Sequence, residues 1–266
     1  MGLFQKKVSI LYNIELGPVY YRLGLAFPEL ARVVKPGQFV MIRPSHASIT
    51  LLRRPFSVHR LVVEEDKTLG IELLYKVVGQ GTKAMSEMKA GDDIDVLGPL
   101  GNGFPCLEQA NCVFLVAGGV GVAALYYLAF HLSKYQGVTQ TVFLGGSSSS
   151  DILCEKEFQS LGIKIHVSTE DASVGEAGLV TSAVEKSLEA GERPDIIYAC
   201  GPQAMMKAVG VIAGAYDIPC QVSLEAEMAC GFGVCLGCAV KRAADEGGYF
   251  HVCIDGPVFD FRKVKI

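Results

Sequence analysis

No block of basic residues interrupts this 266-residue chain, and 24 Lys+Arg stand against 28 Asp+Glu for a formal charge of −4. That balance argues against a nucleic-acid-binding protein. Charged residues are scarce, at a fifth of the chain, while half of it is hydrophobic, which excludes a disordered or low-complexity chain. No cleavable leader is expected, because Met1-Gly2-Leu3-Phe4-Gln5-Lys6-Lys7 has too short an apolar stretch before its charges. A cytoplasmic location is therefore expected, and the nine cysteines are then poor candidates for a disulfide framework. Metal, redox and plain core roles remain.

Between Gln109 and Ser133 there is no Asp, Glu, Lys or Arg, and Val113–Leu132 is long enough to cross a bilayer. Gly118, Gly119 and Gly121 divide this run into a β-branched stretch, Val113–Val116, and an Ala/Leu/Tyr stretch, Val122–Leu132. A strand buried on both faces, a glycine turn and a buried helix account for the same composition. No Lys/Arg cluster flanks the run as a membrane anchor would. The expectation is a chain with no membrane segment.

The first hundred residues read as short strands separated by turn residues: Val8–Ile14, Tyr20–Ala26, Phe39–Ile42, Phe56–Val63, Gly70–Val78 and Asp93–Leu97. Six such strands predict a closed antiparallel barrel, followed by a linker at Gly98–Gly103. Beyond it, apolar strands at Val113–Val116, Thr141–Leu144, Lys164–Val167, Asp195–Ala199 and Gln221–Leu224 alternate with helical stretches. The helices are expected near Val122–Lys134, Asp151–Leu161, Leu179–Leu188 and Gln203–Ala215. That alternation predicts an α/β parallel sheet. The last forty residues are rich in glycine and cysteine and too poor in apolar runs to fold without a staple. The expected organisation is a β-barrel over 1–103, an α/β domain over 104–224 and a small cysteine-rich segment over 225–266.

Four cysteines carry the strongest chemical signal. Cys230-x4-Cys235-x2-Cys238, followed by Cys253 after fourteen intervening residues, matches the plant-type spacing for a [2Fe–2S] cluster. Gly231, Gly233 and Gly237 would let the loop wrap a small cluster and turn N–H groups toward its sulfurs. A zinc site is the alternative, although zinc knuckles more often pair two C-x2-C arms, and here the second arm is one cysteine. Cys106, Cys112, Cys154 and Cys220 read as small apolar residues.

Two further signals concern nucleotides. Gly118-Gly119-Val120-Gly121 joins an expected strand to an expected helix, where a diphosphate could approach the backbone; a tight packing turn is the other reading. Cys200-Gly201-Pro202 opens the same carboxyl edge of the sheet a second time, with Cys200 either a nicotinamide neighbour or a core thiol. In the barrel, Arg53-Arg54-Pro55-Phe56-Ser57 offers an arginine fork, and Gly79-Gln80-Gly81-Thr82 offers N–H groups and a hydroxyl. The alternative for Arg53 and Arg54 is a pair of solvated charges.

Together these motifs resemble the ferredoxin–NADP reductase superfamily over nearly the whole chain. Its R-x-[YF]-S flavin motif is matched by Arg54-Pro55-Phe56-Ser57. The next flavin-contacting strand is similar to Leu74-Tyr75-Lys76, and the flavin diphosphate turn to Gly81-Thr82. The nicotinamide-nucleotide motifs are matched at Gly118, Gly119 and Gly121 and at Cys200, Gly201 and Pro202. The tail, from Glu225 through the cysteine loop to Cys253-Ile254-Asp255-Gly256-Pro257, is similar to the electron-transfer subunits of NAD-dependent dihydroorotate dehydrogenase. Related bifurcating reductase subunits replace one cluster cysteine with aspartate, whereas all four stand here. Phe56 departs from the isoleucine frequent in those subunits.

The resemblance implies FAD, a [2Fe–2S] cluster held by Cys230, Cys235, Cys238 and Cys253, and NAD as cofactors. It also implies a catalytic partner subunit carrying FMN, two of each chain in a heterotetramer, and a role in pyrimidine biosynthesis. The same cofactors would serve a reductase subunit of a sulfide dehydrogenase, hydrogenase or ferredoxin–NADP reductase complex. NAD is expected over NADP because Gly145-Gly146-Ser147-Ser148-Ser149-Ser150-Asp151 offers no cation to a 2′-phosphate. No base for dihydroorotate chemistry stands out, so that step is expected on the partner.

Overall fold

The computed structural model describes residues 2–44, 51–105, 110–243 and 247–266. Two compact units emerge: Met1–Gly103 with Glu225–Ala239 and His251–Pro257, and Phe104–Leu224 with Val240–Phe250 and Val258–Ile266.

The first unit is built on β1 (Phe4–Gly17), β2 (Tyr20–Leu25), α1 (Pro28–Ala31), β3 (Phe39–Pro44), β4 (Arg54–Glu64), β5 (Lys67–Lys76), α2 (Gln80–Ser86) and β6 (Asp93–Leu100). Its six strands close a barrel in the order β1-β2-β5-β4-β3-β6, every pairing antiparallel. Closure leaves no free sheet edge. Leu23, Leu25, Val40, Met41, Ile42, Val58, Ile71, Leu73 and Val96 are completely buried.

One polar row crosses four strands. The register aligns Tyr12 with Gly24, Gly24 with Glu72 and Glu72 with Arg60. Tyr12 lays its ring over Gly24, donates to Glu72 Oε2 at 2.6 Å, and Arg60 Nη2 donates to the same oxygen at 2.8 Å. A fully buried carboxylate is tolerated because it is paired in this way.

The segment expected to be a linker is not one. Gly98 pairs with Phe4 and Leu100 with Phe39, so the barrel strand β6 runs on to Leu100. Gly98 suits the pairing because a Cβ there would lie 2.7 Å from Val40 Cγ1.

The second unit holds β7 (Cys112–Gly118), α3 (Val122–Leu132), β8 (Thr139–Gly146), α4 (Glu155–Ser160), β9 (Lys164–Thr169), β10 (Glu176–Ala177), α5 (Val180–Glu189), β11 (Ile196–Cys200), α6 (Gln203–Ala215) and β12 (Cys220–Ser223). In the tail follow β13 (Ala239–Arg242), β14 (Tyr249–His251), β15 (Val258–Asp260) and β16 (Val264–Lys265). The main sheet runs β10-β9-β8-β7-β11-β12-β15, parallel except for β15; β14-β13-β16 form a second, small sheet.

The uncharged run Val113–Leu132 is strand, one 3-10 turn at Gly119–Gly121, and helix, with both strand and helix buried. Among the described residues no helix is long and apolar enough to cross a membrane. The helix expected at Asp151–Leu161 is shorter, beginning only at Glu155. Asp151 instead accepts from the N–H groups of Ser147 and Ser148, and Cys154 adopts a left-handed φ of 63° that breaks the helical path.

Candidate functional site

The cysteine loop is shaped by residues that turn N–H groups inward. Gly231 and Gly233 take φ of +81° and +89°, and Leu236 takes +58°. Cys235 N donates to Cys230 Sγ at 3.4 Å. Burial raises the Cys230 thiol, but the N–H groups of Cys235, Phe232 and Val234 together with the Cys235 side chain outweigh it and bring the pKa down to about 6. Amides that stabilise one thiolate in this way suit a loop built for thiolate ligands.

Cys238 and Cys253 form a second pair, both buried, with their sulfurs 3.2 Å apart. Val252 N donates to Cys238 O at 3.0 Å, which brings the distant segment alongside the loop. Burial, then the neighbouring Cys238 thiol, pushes Cys253 up to about 12. Among the described residues no three His, Cys, Asp or Glu side chains converge on one point as a single ion requires. Two pairs of sulfurs fit a two-iron cluster, in which each iron takes two thiolates. The residues present therefore fit the group that the spacing implies.

The loop is seated on the barrel. A Cβ on Gly231 would lie 2.5 Å from Met41 Cγ, and one on Gly101 would lie 2.6 Å from Pro257 Cδ. Asn102 Nδ2 donates to the carbonyls of Ile254 and Asp255. Around the cysteines, Phe232, Val234, Leu236 and Ile254 are exposed.

On the barrel, β4 presents Arg54, Pro55, Phe56 and Ser57, and β5 presents Leu74, Tyr75 and Lys76. The fold brings Phe56 edge-on to Tyr75 at 6.0 Å, stacks Tyr75 on Tyr21 at 5.6 Å, and sets Lys76 Nζ 5.2 Å from the Tyr20 ring centre. Tyr75 donates to Asn13 Oδ1 at 3.2 Å, and burial pushes its hydroxyl pKa up.

The arginine pair divides. Arg53 binds Asp95 through Nε and Nη2 at 2.9 to 3.2 Å, and Arg43 joins the same carboxylate at 3.0 Å. The half-exposed Arg54 donates to Leu52 O. Arg53 is thus neither a solvated charge nor half of a free fork.

Gly79-Gln80-Gly81-Thr82 begins α2. Thr82 Oγ1 accepts from the N–H groups of Val78 and Gly79 and donates to Gly79 O, so this hydroxyl holds the turn itself.

In the second unit the two glycine turns interlock. A Cβ on Gly118 would lie 2.6 Å from Pro202 Cδ, a Cβ on Gly121 would collide with the carbonyl of Cys200, and Gly201 takes a φ of +152° against Gly118 N. Close packing is reason enough for Gly118, Gly121 and Gly201, while Gly119, at φ +51°, shapes the turn. Cys200 is buried at the end of β11. Cys154 and Cys220 are buried and Cys112 half-buried; Cys106 lies outside the described residues. Asp95 and Asn102 carried no signal in isolation, because their partners lie 42 and more than 150 residues away.

Barrel, parallel sheet and cysteine loop together define a ferredoxin-reductase-type oxidoreductase carrying an iron–sulfur cluster. Residues 115–210 match the model of the oxidoreductase NAD-binding domain. Residues 225–265 match that of the iron–sulfur cluster binding domain of dihydroorotate dehydrogenase B. The chain is 41% identical over 257 residues, 96% of both chains, to the dihydroorotate dehydrogenase B (NAD(+)) electron transfer subunit of Caldanaerobacter subterraneus subsp. tengcongensis. It is 39% identical to that of Listeria innocua, over 99% of this chain and all of the relative. A chain in the structure of NADH-dependent reduced ferredoxin–NADP oxidoreductase superposes with a TM-score of 0.85 at 32% identity, covering 97% of this chain and 89% of that one. The chain belongs to the family of electron-transfer subunits of NAD-dependent dihydroorotate dehydrogenase B. Its cofactors are an iron–sulfur cluster, a flavin and NAD, and its work is electron transfer within an NAD-dependent oxidoreductase complex.

Proposed function

We propose that Cys230, Cys235, Cys238 and Cys253 hold the [2Fe–2S] cluster, two thiolates to each iron. The observation that carries this is the pairing of the cysteines, one pair supplied with backbone N–H groups and the other buried. Arg54, Pro55, Phe56 and Ser57, with Leu74, Tyr75, Lys76, Gly81 and Thr82, are proposed to bind FAD. Phe56 and Tyr75 supply an aromatic wall, and Arg54 a half-exposed cation that, among the described residues, is not the one Asp95 takes. Gly118, Gly119, Gly121, Cys200, Gly201 and Pro202 are proposed to form the NAD site at the carboxyl edge of the sheet.

When bound, the cluster supplies one-electron steps and the flavin links them to the two-electron chemistry of nicotinamide. The protein contributes position and electrostatics. Inward N–H groups of Phe232, Val234 and Cys235 favour the charged form of the Cys230 sulfur, and β4 and β5 set the ring-facing residues on a rigid barrel.

Dihydroorotate oxidation is assigned to a partner subunit carrying FMN, two of each chain forming the complex, in the cytoplasm and serving pyrimidine synthesis. The name borne by the relatives, an electron transfer subunit, supports a separate catalytic subunit. The exposed Phe232, Val234, Leu236 and Ile254 beside the cysteines support an interface there.

The purified chain, tested alone, should show flavin and iron–sulfur absorption, hold about two irons and one FAD, and reduce dyes with NADH. It should not turn over dihydroorotate. Turnover by the chain alone overturns the division of labour, and a colourless protein overturns the cofactor assignment.

A further inference from the structure

Cys253 reaches Cys238 from a separate stretch of chain, and something must hold it there. Its own segment is a closed turn: Ile254 N and Asp255 N donate to His251 O at 3.0 and 2.8 Å, and Asp255 Oδ2 accepts from His251 N at 2.6 Å. That turn leaves the carbonyls of Ile254 and Asp255 facing one side chain. Asn102 Nδ2 donates to both, at 2.9 and 3.1 Å, its own N–H donates to Gly256 O at 2.5 Å, and it bridges to Pro257. Gly101, at φ +70° with no room for a Cβ, lets the chain leave β6 at the angle these contacts need.

We propose that Asn102 is a positioning residue for the cluster: its amide, bridging the Ile254 and Asp255 carbonyls, anchors Cys253 to the barrel rim opposite Cys238. The proposal rests on the reading of the four cysteines as ligands. Its chemistry is specific. A carboxamide carries two hydrogens on one nitrogen and can satisfy two carbonyls at once, whereas the isosteric carboxylate of aspartate would set oxygen against oxygen. Pre-placing a ligand from a distant segment removes ordering cost from iron binding, so loss of the anchor shows as faster release of iron.

The test compares the full-length wild type with Asn102→Asp and Asn102→Ala, each reconstituted with iron, sulfide and FAD. Three quantities are read: iron lost to an excess of chelator, alkylation of Cys253 in the cluster-free chain by mass spectrometry, and FAD content. Both variants are expected to lose iron at least about tenfold faster, the equivalent of losing one or both of the carbonyl bonds that Asn102 makes. They should expose Cys253 to alkylation severalfold more, at unchanged FAD content. Iron loss accelerated clearly less than about tenfold, or unchanged Cys253 reactivity, overturns the proposal, since a tenfold change in iron loss is the least it implies. Should Asn102→Asp and Asn102→Ala lose FAD as well, the same two readings on Asn102→Ser decide, because serine keeps the backbone bridge and one donor. A wild type that holds no iron overturns the ligand reading instead, which tells the two failures apart.

Discussion

Asp95 holds Arg53 through three hydrogen bonds of 2.9 to 3.2 Å, one residue before the arginine proposed to bind the flavin. Asp95 is only 5% exposed, so its charge depends on Arg53 and Arg43 for partners. Adjacent arginines thus have opposite expected phenotypes. Arg53→Ala should destabilise the barrel by about 2–3 kcal/mol, because a buried carboxylate loses its better partner. Arg54→Ala should leave the melting temperature of the FAD-free chain unchanged and weaken FAD binding about tenfold or more, the loss of one charge-assisted bond. Thermal unfolding and FAD titration separate the two; equal effects on FAD affinity would refute the division.

The same pair shows what a sequence conceals. Six strands and the change of period after Gly103 are local patterns, and each survives in the fold. Arg53 and Arg54 are identical as letters. Only the pairing of β3 with β4 on one side and with β6 on the other reveals which one Asp95 takes, across 42 residues of chain. Gly98–Gly103 reads as a linker because glycine and proline mark turns, yet Gly98 lies in a strand where Val40 leaves no room for a side chain. Gly118 and Gly121 similarly suggest a phosphate turn, when contact with Pro202 and Cys200 already requires them. Composition records that space is tight and not what fills it.

Alkaline pH should unfold the second unit more readily than neutral pH. Burial, then Asp260, pushes the Cys220 thiol from 9.0 up to about 12. Below pH 9 the thiol is neutral in both states and costs nothing. Between pH 9 and 12 the unfolded chain releases its proton while the folded chain retains it, so stability falls as pH rises, by at most about 1.4 kcal/mol per pH unit. Cys220→Val removes this group at similar volume. Its stability curve should be flatter than wild type over that window, and parallel curves would exclude Cys220 as a source.

Coenzyme choice follows from carboxylates at the ends of β8 and β9. Asp151 takes the N–H groups of Ser147 and Ser148 at 3.2 and 3.4 Å, and Ser147 Oγ donates to Glu170 at 3.1 Å. A 2′-phosphate arriving there meets negative charge and N–H groups already engaged. NADPH should therefore be oxidised with a kcat/KM at least about tenfold below that of NADH, a difference of about 1.4 kcal/mol. Glu170→Gln should narrow the ratio. Steady-state rates with both nucleotides and an artificial acceptor decide it, and a preference for NADPH would sink the assignment.

The three glycines of the cysteine loop should rank rather than act alike. Gly231 is buried, at φ +81°, and a Cβ there would lie 2.5 Å from Cγ of the fully buried Met41. Alanine must therefore both strain the backbone and displace a core side chain. Gly233 has a similar φ, but its nearest neighbour is Ile254 Cγ2 at 3.0 Å, an exposed side chain that can give way. Its cost is mainly the left-handed conformation, about 1–2 kcal/mol. Gly237 has no positive φ, and only Cys235 Sγ stands within 4 Å, at 3.7 Å. Iron bound after reconstitution should fall most for Gly231→Ala, less for Gly233→Ala and little for Gly237→Ala. A reversed order would mean that the loop gains its shape from the metal rather than from its seat on Met41.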